Sequence, residues 1–212
     1  MNDVSIPDKR SLCEERPARM YPKTGTAREC AYHEAGHATI SRLVRDSLSS
    51  IVLGSGVGAV IQNGRDITSD LEMIRRKDKA LYKSMHVLAA DDPLCKPLAI
   101  RTCCILLAGL QAEMLLDEVE LDGPIIREDS DHIRARETLS HAFGTDCNLY
   151  YPQMVTRFYL ARCWHEVVRT AETLLVRHAE QGIGIINRDN PGDALFFSKD
   201  LLGVAWVDEA WS

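Results

Sequence analysis

Long apolar runs are missing from this 212-residue chain. A membrane-crossing helix needs about 20 apolar residues. The two most apolar stretches fall short, because 51–61 is brief and interrupted by glycine and 98–116 carries Arg101 and Glu113. The opening MNDVSIPDKR lacks the apolar core that follows a basic start in a secretory signal. A cytoplasmic protein without membrane contact is therefore expected. An excess of positive charge is missing too: 25 Lys and Arg stand against 31 Asp and Glu, a net charge of −6. Binding nucleic acid by bulk charge is not expected of such a chain. The seven cysteines (Cys13, Cys30, Cys95, Cys103, Cys104, Cys147 and Cys163) are odd in number and contain no C-x-x-C pair. That excludes a cysteine-rich zinc finger and predicts reduced thiols. No G-x-x-x-x-G-K-[ST] occurs, so an ATP-binding P-loop is absent from the sequence.

What is present is ordinary globular composition, 45% hydrophobic and 26% charged. The length suits one domain with a core that needs no disulfide or metal staple. Residues 1–23, interrupted by Pro7, Pro17 and Pro22, read as an extended N-terminal arm. Thr26 and Glu29 have capping-box spacing and open a helix to about Arg45. Residues 50–61 favour an extended segment with glycine interruptions. Asn63-Gly64 signals a turn, and a polar helix is predicted over 70–88. The 98–116 stretch is apolar on most sides and predicts a central helix. Asp122-Gly123-Pro124 ends it, and Asp129 or Ser130 can cap a further helix to about Phe143. Apolar residues from Leu160 to Leu175 repeat every three or four positions, with Gly182 as a stop. Residues 183–212 read as a loosely ordered tail. The expected fold is mainly α with one small β element, its central domain spanning 24–182.

Chemistry concentrates at His33-Glu34-Ala35-Gly36-His37, inside the first helix. Residues four apart on a helix differ by about 40° in direction and about 6 Å in height. His33 and His37 therefore project from one face, where two imidazoles can hold Zn²⁺. Glu34 sits to the side of that pair, able to reach a water without ligating the metal. Such a carboxylate can take a proton from water attacking a carbonyl and pass it to the leaving amine. Catalytic zinc usually takes three protein ligands, and the third must come from far along the chain. Glu113, Asp117, Asp131, His132 and His141 are candidates, and spacing alone leaves them open.

Three separated segments together resemble the peptidase domain of FtsH-type zinc metalloproteases. Ala31-Tyr32-His33-Glu34-Ala35-Gly36-His37-Ala38 is similar to that family's metal helix almost letter for letter. Leu106-Leu107-Ala108-Gly109-Leu110-Gln111-Ala112-Glu113 is similar to its Gly-x-x-Ala-Glu helix. Ser130-Asp131-His132-Ile133-Arg134-Ala135 is similar to its Asn-Asp-Leu-x-x-Ala segment, whose Asp is the third zinc ligand. The resemblance covers about 26–181 and implies a zincin-type metal helix in a helical bundle. It implies Zn²⁺ as cofactor, His33, His37 and Asp131 as ligands and Glu34 as general base, acting on unfolded or flexible protein segments. It further implies that 50–58 is an edge strand that pairs with extended substrate, with Ile51, Val52, Leu53 and Gly54 as its substrate-binding residues. The 160–178 helix is similar to the family's terminal bundle helix. Ser130 and His132 replace the usual neighbours of the Asp, which keeps His132 as a rival ligand. The family's membrane anchor and ATPase have no counterpart in the sequence, so proteolysis uncoupled from ATP, or served by a partner unfoldase or a homo-oligomer, is expected. Glu113 has competing roles: a carboxylate orienting a zinc-bound histidine, a ligand as in small repressor-cleaving (ImmA/IrrE-like) metallopeptidases, or a plain surface residue. A non-catalytic zinc-binding adaptor, closed by a fourth ligand such as His132, is the third alternative.

Overall fold

The computed structural model describes residues 17–22, 25–44, 48–54, 58–62, 95–144, 148–198 and 204–206. The expected 70–88 helix, the Asn63-Gly64 turn and most of the N-terminal arm lie outside the described residues. Within them the protein is mainly helical with a small sheet. In chain order the elements are β1 (Arg19–Met20), α1 (Ala27–Leu43), β2 (Leu48–Leu53), β3 (Gly58–Gln62), α2 (Cys95–Leu116), β4 (Ile125–Ile126), α3 (Ser130–Phe143), α4 (Tyr150–Arg162), α5 (Trp164–Gln181), β5 (Gly184–Asn187) and a closing 3-10 helix, Pro191–Phe197.

Helix α1 starts where the sequence predicts. The Thr26 hydroxyl accepts from the Glu29 N–H, and the Glu29 carboxylate accepts from the Thr26 N–H, each at 3.1 Å. These bonds satisfy donors that the first turn leaves unpaired. Every residue from Cys30 to Leu43 is buried, so α1 is an interior helix rather than an amphipathic one. It packs against α2, α5, β2 and β3. Helix α2 packs in turn against α1, α3 and α4. It is long and apolar enough to cross a membrane by length and composition alone, yet 83% of its apolar window is buried inside the fold. Its two adjacent thiols are part of that interior: Cys103 donates to the Ala135 carbonyl at 3.3 Å and Cys104 to the Pro152 carbonyl at 3.7 Å. Burial pushes both thiols up, and buried thiols of this kind are unreactive.

Helices α1 and α2 cross closely at Gly36. A Cβ placed on Gly36 would fall 2.5 Å from the Ala108 carbonyl oxygen and 2.8 Å from the Ala112 Cβ. Only glycine fits there, and Ala108 and Ala112 keep the facing ridge low. Small residues at this spacing let two backbones meet more closely than the 8–10 Å typical of packed helices.

The sheet order is β3-β2-β5, with both pairings antiparallel. The expectation of an edge strand at 51–54 is therefore corrected. Ile51, Val52 and Leu53 pair with Val60, Ala59 and Gly58 on one side and with Ile186, Ile185 and Gly184 on the other. Strand β2 is central because its Ile51 and Leu53 side chains fill the core. Among the described residues, the edge beside α1 is β3.

The reading of 183–212 as a loose tail is corrected as well. Strand β5 joins the sheet, Phe196 enters the core, and Trp206 stacks on Tyr159 with ring centroids 4.7 Å apart. Likewise the end of the arm is held: β1 pairs in parallel with β4, Arg19 opposite Ile125. The expected single helix from Leu160 is broken at Cys163, where φ −103° and ψ 17° end α4 and start α5. Gly182, at φ +75°, then stops α5 as predicted, in a conformation that glycine adopts without a Cβ penalty.

Asp193 anchors the closing segment. Both its oxygens accept from the Arg177 guanidinium, and Oδ2 also accepts from the Asn187 N–H at 3.0 Å. The Arg177 bonds hold its carboxyl below the usual range, against the opposing effect of burial. A carboxyl lowered in the folded state contributes stability that is complete above its unfolded value of about 3.9 and is lost as pH falls through the folded value. Asp193→Asn is expected to cost about 1–3 kcal/mol near neutral pH. Urea unfolding should show that deficit shrinking as pH drops below about 4.

Candidate metal centre

His33 and His37 stand one turn apart on α1, facing the α2 crossing and the start of α3. Each ring is fixed by its far nitrogen. His33 Nδ1 donates to Glu113 Oε1 at 2.6 Å, and His37 Nδ1 donates to the Ile105 carbonyl at 2.7 Å. Both partners can only accept, so both Nδ1 atoms carry hydrogen, and in the neutral rings both Nε2 atoms present lone pairs. Those lone pairs face each other at 2.9 Å. Asp131 Oδ2 completes the group, 3.3 Å from His37 Nε2 and 3.6 Å from His33 Nε2.

Three electron-rich atoms this close require a positive charge among them. One source is a proton. Burial works against the His33 imidazolium, but the facing Asp131 and Glu113 carboxylates and the charge of Glu34 outweigh it and push His33 up to about 9. Burial also opposes the Asp131 anion, yet the two histidines hold its carboxyl well below the usual range. The other source is a metal cation. A tetrahedral Zn²⁺ with bonds of about 2.0–2.1 Å holds its ligands about 3.3–3.4 Å apart. Separations of 2.9, 3.3 and 3.6 Å bracket that value. Two imidazoles and a carboxylate are also the donor types that zinc takes. The residues fit the ion.

Asp131 reaches the cluster from the first turn of α3. Asp129 caps that helix, its Oδ1 accepting from the His132 N–H at 2.9 Å. The same oxygen lies 3.1 Å from His132 Nδ1, and His132 is buried. Of the rival ligands, His132 is thus turned onto Asp129 and is not among the three clustered residues. Asp117 accepts from the Tyr21 hydroxyl at 2.6 Å, beyond the end of α2. His141 is ten residues along α3, about 15 Å by helical rise. Glu113 is engaged behind His33 rather than among the Nε2 atoms: Arg127 Nη1 donates to its Oε1 at 2.8 Å, and Arg127 Nη2 donates to its Oε2. Such a buried carboxylate orients a ligand ring and raises its basicity.

Glu34 is buried in the same cleft, about 320 Å³ in volume, that His33, His37 and Asp131 line. Gly58, Ala59 and Val60 of β3 form one wall of it. A Cβ on Gly58 would overlap the Glu34 side chain, and one on Gly109 would overlap the His33 ring. Both glycines leave room for groups of the site. Ile51, Val52, Leu53 and Gly54 are absent from the lining, so the strand beside the site is β3. Sequence reading missed Gly58 and Arg127. A lone glycine in an interrupted strand and a lone arginine in a loop carry no motif. Gly109 lies in the 106–113 stretch, but nothing local connects it to His33.

Comparisons with protein-family models, curated proteins and solved structures return no match for this chain.

Zinc titration of the wild type and two variants tests the ligand assignment. Asp131→Ala is expected to lose stable Zn²⁺ binding, and Glu113→Ala to weaken it about 10–100-fold. Loss of binding in Glu113→Ala with none in Asp131→Ala would reverse the two roles.

Proposed function

We propose that this protein is a zinc-dependent metalloendopeptidase that hydrolyses peptide bonds in unfolded or flexible protein segments. The observation that carries the reading is the convergence of His33 Nε2, His37 Nε2 and Asp131 Oδ2 in a cleft shared with Glu34. The three segments that resemble the FtsH-type peptidase domain support it, because they contain these same four residues. The proposal extends to the fold: a buried metal helix within helices, beside a small sheet, is what a zincin-type, FtsH-like peptidase domain requires.

His33, His37 and Asp131 would hold Zn²⁺. When bound, the ion supplies a Lewis acid, lowering the pKa of water from 15.7 toward about 7 and polarising a carbonyl oxygen. Glu34 handles the proton. Its carboxylate would accept one from the attacking water and deliver it to the departing amine nitrogen. Glu34 is itself buried in the cleft that β3 walls on one side. Glu113 keeps the His33 hydrogen on Nδ1, so that Nε2 remains a donor of electrons.

Two features favour a peptide in extended form. A cleft of about 320 Å³ admits a few side chains but not a folded domain. Among the described residues, strand β3 is an edge of its sheet, and its outer backbone groups can pair with an added strand. Ligand groups and proton acceptor would then lie alongside the paired chain.

Degradation of a permanently unfolded protein tests the proposal. Glu34→Gln should bind zinc like the wild type and cut at least about 100-fold more slowly. Equal rates in wild type and variant would assign any proteolysis to another source, and zinc binding without proteolysis in either would favour the adaptor alternative.

A further inference from the structure

Beyond the ligands and Glu34, one buried cation lies between the carboxylate behind His33 and the carboxylate that caps the Asp131 helix. Arg127 sits in the loop between β4 and α3 and is 5% exposed. Two of its N–H groups grip Glu113, the carboxylate behind His33. Its Nε has no hydrogen-bond partner and faces Asp129 Oδ2 at 3.8 Å. Asp129 caps the helix that carries Asp131. The outer face of the guanidinium lies 5.4 Å from the Tyr21 ring centroid, next to the N-terminal strand.

We infer that Arg127 is a positioning residue of the metal centre, one guanidinium that ties the carboxylate orienting His33 to the carboxylate capping the Asp131 helix. The two ligands sit on α1 and α3, which both pack on α2. Their separation therefore depends on how the 127–129 loop is held against α2, and Arg127 spans that interval. A planar guanidinium presents two N–H groups to one carboxylate and an N–H edge to another, whereas an ammonium is a point charge that cannot address both at fixed angles. Glu113 is 2% exposed, so without Arg127 its charge would be buried with His33 as its remaining partner. The ring would then lose its fixed orientation and Asp131 its fixed distance. Tyr21 caps the guanidinium through its ring face, a contact favourable for a desolvated cation. The last residues of the N-terminal arm are thus part of the support of the metal centre.

This inference rests on the reading that His33, His37 and Asp131 bind a divalent cation. Its test measures affinity and ligand field rather than proteolysis. Zn²⁺ affinity is read by competition with a chromophoric chelator, and ligand geometry by the visible absorption of the Co²⁺-loaded protein. Arg127→Met is expected to weaken Zn²⁺ about 10–100-fold and to shift the Co²⁺ bands, a change that loss of stability alone would not produce. Arg127→Lys should recover only part of the affinity. The double variant Arg127→Met with Glu113→Gln should bind more tightly than the product of the single losses predicts, because both break one link. If Arg127→Met does not fold, Arg127→Lys decides: shifted Co²⁺ bands support the inference. Affinity within about twofold of wild type and unchanged bands, in whichever variant folds, overturn it. A wild-type protein that binds no zinc overturns the metal reading itself, and the inference with it.

Discussion

Helices α1 and α2 cross at Gly36 so closely that a single added methyl group would meet the Ala108 carbonyl at 2.5 Å. The proposed metal centre depends on this contact. It brings the His33 ring onto Gly109, where a Cβ would overlap it, and aligns its Nδ1 with Glu113 one turn further along α2. The same approach puts His37 Nδ1 on the Ile105 carbonyl, one turn earlier. Two histidines on one helix are thus oriented by two acceptors on the other, each four residues from Gly109. Close packing here fixes not only the distance between helices but the tautomer of both rings, and so the direction of their free lone pairs.

The second constraint is electrostatic. Glu34, Glu113, Asp129 and Asp131 bring four carboxylates to one end of α1 and α3, with the Arg127 guanidinium paired to Glu113 and facing Asp129. Burial makes such a concentration costly unless the charges are paired. Arg127 balances the carboxylates behind the rings. In front of the rings, a cation or a proton must balance Asp131 and the two Nε2 lone pairs. That asymmetry supports the proposed metal site.

Local features of the sequence carried α1 and α3 well. The Thr26–Glu29 box, the Asp129 cap and the Gly182 stop each act within four residues, and all occur as expected. Helix α2 was legible because a run apolar on most sides suits a central helix. The third ligand was less so. Spacing left five candidates, and the resemblance singled out Asp131, the one that clusters with the histidines. Strand neighbours were not legible at all: alternation in 50–61 indicates an extended chain but not which edge is free, and that depended on β5, four residues in a segment read as a tail. Arg127 was silent for the same reason. Its role exists only once β4, α2 and α3 have converged, and no spacing rule encodes it.

The central claim is that one metal ion is held by His33, His37 and Asp131. The most direct measurement is diffraction from zinc-loaded crystals collected on both sides of the zinc absorption edge. The account predicts a single strong anomalous peak within bonding distance of His33 Nε2, His37 Nε2 and an Asp131 carboxylate oxygen. A peak bonded instead to Glu113 or His132, or no peak between the two imidazoles, would contradict it.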